Sequence, residues 1–189
     1  MKRALVLASL VVLLLPITLL AKDSKDSGDS RDSLVRFAGG IGVHPISNVT
    51  VTPNPSAPPT IPAINVARNT VRTVDPAGQI WVIANLRANI KNDGRIRVEG
   101  EGLLLAGGNN IGLNAGASVF ATLICEAVAP FTLHNTTLTG VPLAANGDFR
   151  IDDLLSPAPP AVCASPVLLI RNAANGGWFA AGIQKLDHD

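Results

Sequence analysis

From residue 82 to residue 90 the chain alternates between apolar and polar positions. Val82, Ala84, Leu86, Ala88 and Ile90 fall on one side, and Asn85, Arg87 and Asn89 on the other. A period of two is the pattern of a strand with one buried face. After the turn residues Asn92, Asp93 and Gly94 the alternation resumes, with Ile96 and Val98 inward and Arg95, Arg97, Glu99 and Glu101 outward. Residues that face each other in an antiparallel pair share one side of the sheet. A three-residue loop, 92–94, sets Lys91 against Arg95, Ile90 against Ile96, Ala88 against Val98 and Arg87 against Glu99. A two-residue loop would oppose apolar to polar along the whole hairpin, so the three-residue loop is predicted, with Gly94 left-handed.

Shorter apolar runs predict strands at 47–52, 65–74, 103–106, 118–125, 131–138, 149–152, 167–171 and 178–183. Asp75-Pro76-Ala77-Gly78, Asn146-Gly147 and Asn175-Gly176-Gly177 are turn signals between them. Residues 53–62 hold five prolines and predict an extended surface loop, since proline cannot serve a central ladder. No helical periodicity follows residue 21. The expected fold is all-β: a single antiparallel β-sandwich-like domain over 34–189, of about eight or nine short strands with Greek-key links. The absence of tyrosine speaks against an immunoglobulin-type domain with its tyrosine corner.

The N-terminus has a different pattern. Lys2 and Arg3 precede an apolar run, 4–20, then Ala21 and a wholly polar stretch. This predicts a secretory signal peptide over 1–21, cleaved after Ala21. The competing reading is an uncleaved anchor, against which stand the short run of seventeen residues and Pro16 within it. Residues 22–33 repeat Lys/Gly/Arg-Asp-Ser with no apolar residue and predict a disordered spacer. The expected location is secreted, periplasmic or cell-envelope, with no membrane span left after cleavage.

Composition narrows the function. Charged residues are 15% of the chain, and without Lys2 and Arg3 the 15 basic residues become 13 against 14 acidic. With no basic stripe, nucleic acid is not an expected partner. The two cysteines, Cys125 and Cys163, are expected to form a disulfide, the alternative being two separate buried thiols. Their spacing of 38 suits neither a redox pair nor a zinc knuckle.

Candidate chemistry is sparse. Gly116-Ala117-Ser118-Val119-Phe120 starts like a nucleophile elbow but lacks the closing glycine and leads into a strand. His44, His134 and His188 fit no metal-ligand spacing. Asp148 and Asp152 are read onto the polar face of one strand, roughly 13 Å apart at about 3.3 Å per residue, wider than glycosidase carboxylates. Asp152 and Asp153 with loop carbonyls are the residues to consider for calcium, although a solvated face is the simpler reading. The glycines of 39–42 and 107–112 resemble phosphate cradles, but no helix or Lys-Ser/Thr follows, so loops between strands are expected. Trp81 and Trp178 are the residues to consider for ligand stacking, and Asn48 and Asn135 head glycosylation sequons. No catalytic residue, cofactor or metal site is therefore expected. The expected role is a non-enzymatic exported β-domain that binds, adheres or contributes to an envelope or matrix. A secreted hydrolase with a dispersed active site is the alternative, and it would need a concave pocket with convergent titratable groups.

Overall fold

The computed structural model describes residues 32–52 and 63–186. The expected leader, residues 22–31 of the spacer, the proline-rich stretch 53–62 and His188 lie outside the described residues. No helix among the described residues is long and apolar enough to cross a membrane.

The protein is all-β and antiparallel. Its strands are β1 (Ser33–Gly42), β2 (Ile46–Thr52), β3 (Ala63–Arg68), β4 (Trp81–Val82), β5 (Asn85–Lys91), β6 (Arg95–Glu101), β7 (Leu104–Leu105), β8 (Ser118–Ile124), β9 (His134–Asn135), β10 (Val141–Pro142), β11 (Phe149–Leu154), β12 (Val167–Asn172) and β13 (Trp178–Gln184). Nine of them form one sheet in the order β10-β8-β12-β13-β1-β5-β6-β11, with β9 also on β8. The two ends of this sheet approach each other. Asn135 of β9 and Ser156, just past β11, exchange backbone hydrogen bonds of 2.9 and 2.8 Å. The sheet thus curls into a nearly closed barrel around one core. β13 lies against β1, and β13-β1-β5-β6 has the Greek-key order, fourth strand beside first.

The β5–β6 hairpin follows from its pattern. Ile90 pairs with Ile96, Ala88 with Val98 and Arg87 with Glu99. Gly94 sits at φ +84° and its N–H donates to Lys91 O at 3.0 Å, which closes the three-residue loop. Leu86, Ile90, Ile96 and Val98 point into the core, where they are joined by Leu123, Leu168 and Ile170. Val119 to Ile124 is buried on both faces, as a continuous apolar run requires.

Four local expectations are corrected. The glycines of 39–42, expected as a loop, lie within β1. Neighbouring chain comes too close for a side chain at two of them: a Cβ on Gly42 would stand 2.1 Å from Trp81 O, and one on Gly40 would stand 2.9 Å from Leu86 Cβ. The alternation from residue 82 is interrupted at Ile83 and Ala84. This reverses the phase, so that Val82 is exposed and Trp81 is buried. The strand expected at 131–138 is reduced to His134 and Asn135, because the Thr136 hydroxyl takes over the ladder by accepting from Ala121 N–H at 2.9 Å. The strand expected at 65–74 ends at Arg68. Val71 and Val74 then form a two-residue turn whose central residues, Arg72 and Thr73, have φ of +46° and +73°.

β2 and β3 form a separate ribbon. Val49 pairs with Val66, and Val49, Val51 and Val66 are all exposed on one side of it.

Candidate functional site

The structure scatters the titratable candidates. The exposed His44 uses Nδ1 to contact Ile46 O at 2.9 Å. His134 is buried, with Nδ1 2.8 Å from Pro157 O and Nε2 without a partner among the described residues. Asp148 and Asp152 do not share a strand, which corrects the earlier placement: Asp148 belongs to the turn before β11. Its Oδ1 accepts from Gly102 N–H at 3.0 Å and its Oδ2 from Asn146 Nδ2 at 2.7 Å. Asp152 pairs across the sheet with Arg97 at 3.0 Å. Burial raises the pKa of Asp153, but hydrogen bonds from the Thr137 and Leu154 N–H groups outweigh this and hold it below the ordinary carboxylate value. These three carboxylates are engaged in the fold, and no group of three metal-ligating side chains exists among the described residues.

The tryptophans are not exposed platforms. Both are only 4% exposed. Trp178 donates its indole N–H to Asn69 O at 2.9 Å. Trp81 stacks on Phe179 with ring centroids 3.9 Å apart. Of the two sequons, Asn48 stands on the exposed ribbon. Asn135 is half-buried, with its Oδ1 accepting from Thr122 Oγ1 at 2.7 Å.

Among the described residues, a cleft of about 720 Å³ opens at one end of the barrel, within the range of about 300–1,000 Å³ of known ligand sites; a second hollow of about 310 Å³, beside His44, Ile46 and Ile80, is at the lower limit of that range. Its apolar lining includes Ala77, Leu105 and the stacked pair Trp81 and Phe179. Gln79, Asn110, Ser118, Thr139, Asn172 and Asn175 supply its polar lining.

Local sequence explains why these loops hold their shape. Asn114 donates from Nδ2 to Leu143 O and Ala144 O at 3.1 and 2.9 Å, and accepts from Gly116 N–H at 3.0 Å. This pins the 112–117 loop, which turns on Ala115 at φ +53° and Gly116 at φ +60°. The 75–80 loop is tied to β13 by Ala77 N–H to Trp178 O, and Trp178 N–H to Asp75 O, both 3.0 Å. In the 172–177 turn, Asn172 Oδ1 accepts from Ala174 N–H at 2.9 Å and Asn175 Oδ1 from Gly177 N–H at 3.0 Å. Arg171 braces that turn from behind. Its Nε donates to Gly176 O at 2.7 Å while its guanidinium lies over Phe120, and burial lowers its pKa from the ordinary arginine value.

Two properties of the cleft follow. No Asp, Glu, Lys, Arg or His lines it. Among the described residues, the side chains of Gln79, Asn110, Ser118 and Thr139 make no hydrogen bond, while Asn172 and Asn175 are oriented through Oδ1 and keep Nδ2 to donate. The cleft can therefore exchange neutral hydrogen bonds and bury apolar surface, but its lining offers no proton-transfer group. Ser118 is part of this lining without a base beside it. Of the residues named from the sequence, the cleft gathers Ser118, Trp81, Gly78, Gly116 and Asn175. Phe179, Gln79, Asn110, Thr139 and the brace Arg171 carried no sequence signal for a site. No family model, curated protein or solved structure matches the chain.

Proposed function

We propose that this protein is an exported, non-enzymatic binding domain that holds its ligand in the cleft at the end of the barrel, in an adhesive or envelope or matrix role. The observation that carries this reading is the lining of the cleft: neutral hydrogen-bonding groups, set in place by turns, around an apolar floor. A site of that composition orients a ligand and provides no general acid, base or charged nucleophile. The leader pattern of 1–21 argues for export, and the Cys125–Cys163 disulfide fits an oxidising compartment.

The test uses the full chain as the host releases it, immobilised and exposed to the host's extracellular and envelope material. The comparison is Ala174→Trp, which places an indole in the cleft from an exposed position whose backbone bond to Asn172 is kept. Capture by the native chain and its loss in Ala174→Trp, at unchanged melting temperature, is the expected result. Equal capture by both, or turnover of esters, peptides or glycosides that Ala174→Trp abolishes, would overturn the proposal.

A further inference from the structure

We infer that the ligand of this cleft is a neutral saccharide, a short stretch of an uncharged polyhydroxylated chain; this rests on the reading of the cleft as the binding site.

The first argument is charge. An ionised group moved from water into a site without a counter-charge loses its solvation without replacement. None of the residues that line the cleft is ionisable, so phosphates, carboxylates and ammonium groups are disfavoured there. The second is hydrogen-bond chemistry. A sugar hydroxyl is donor and acceptor at once. Primary amides and hydroxyls answer both needs, and the rim consists of these: Gln79 and Asn110 with both amide ends uncommitted, Ser118 and Thr139 with free hydroxyls, Asn172 and Asn175 as oriented donors. The third is the floor. A pyranose ring presents C–H faces between its hydroxyls, and the accessible apolar lining, Ala115, Ala117, Ala173 and Ala174, can cover them. A peptide is the poorer fit. The charged side chains and termini of peptides find no partner in the cleft, since no ionisable residue lines it.

The experiment is titration calorimetry of the full chain with neutral oligosaccharides: gluco-, manno-, xylo- and N-acetylglucosamine hexamers, with a galacturonic acid hexamer as the charged control. At least one neutral hexamer is expected to bind and to change tryptophan fluorescence, and the charged control is expected to fail. Gln79→Ala/Asn110→Ala removes two side chains the fold does not use. It is expected to weaken binding at least about tenfold at unchanged melting temperature. Binding that is indifferent to this double variant, or equally good for the charged control, would overturn the inference. A second arm covers glycans outside the panel. Captured host material is treated with trifluoromethanesulfonic acid, which cleaves glycosidic bonds and leaves peptide bonds intact. Capture that depends on an open cleft and is lost on this treatment supports the saccharide. Capture that depends on an open cleft but survives the treatment refutes the saccharide while leaving the binding domain in place. Capture that ignores Ala174→Trp refutes the binding domain itself.

Discussion

Reducing the Cys125–Cys163 bond should cost this protein about 3–4 kcal/mol. The bond joins the end of β8 to the chain before β12, with Cα atoms 4.6 Å apart and a separation of 38 residues. In the chain-entropy model a loop of 38 residues loses about 13 cal/mol/K when closed, which is about 4 kcal/mol at 25 °C. Most of the enclosed chain has other anchors, since β11 pairs along its whole length with β6. The effect is therefore felt mainly in the unfolded state. The exception is the proline-rich stretch 157–166. It is held by Ser165 N–H to Cys125 O at 3.0 Å and by Arg72, which donates to Ile124 O, Ser165 O and Ser165 Oγ. The assay is urea denaturation of the oxidised and reduced protein, followed by tryptophan emission. With Trp81 and Trp178 both buried and no tyrosine present, that signal reports the core directly. At a slope of about 2 kcal/mol/M, the midpoint should fall by about 2 M. A fall of less than about 0.5 M at unchanged slope, with reduction verified, would refute the entropic reasoning. Two labelled thiols in the unreduced, denatured protein would refute the bond.

Gly42→Ala should destabilise the barrel by about 3 kcal/mol, the upper part of the range for overpacking, because its Cβ meets rigid Trp81 and Val82 backbone. Gly78→Ala, with nothing within 4 Å, should change the urea midpoint little. Thr73→Gly should stabilise the protein by about 1 kcal/mol, since a β-branched residue at φ +73° is strained and glycine is not. A lower thermal midpoint would contradict this. Asp153 has a depressed carboxyl pKa in the fold, so its contribution is present above the unfolded value of about 3.9 and lost as pH falls through the folded one. Asp153→Asn should therefore lower the urea midpoint near neutrality and flatten its acid slope, whereas an unchanged slope below about pH 4 would contradict the assignment.

What could be read from the sequence was whatever depends on neighbours along the chain. The β5–β6 hairpin was legible to the residue because alternation and loop length fix its register together. β1 was not, because Gly40 and Gly42 answer to Leu86 and Trp81, which lie far from them in sequence. Ile83 and Ala84 interrupt the alternation without any proline or glycine to announce it, and so the side on which Val82 falls was misread. The cleft was illegible for the same reason as β1: it is lined by five separate segments around residues 77–81, 105–118, 139, 172–175 and 179. Its polar residues are common turn formers, and only their convergence gives them a second use.

The pairing of β13 with β1 and of β1 with β5 also constrains the order of events during biogenesis. β13 is synthesised last among the described strands, yet it fills the place between β12 and β1. Until Trp178–Gln184 has emerged, β1 and β12 each present a bare edge and the barrel stays open. Contacts of such long sequence separation form slowly. Closure of the barrel is accordingly deferred until β13 is available.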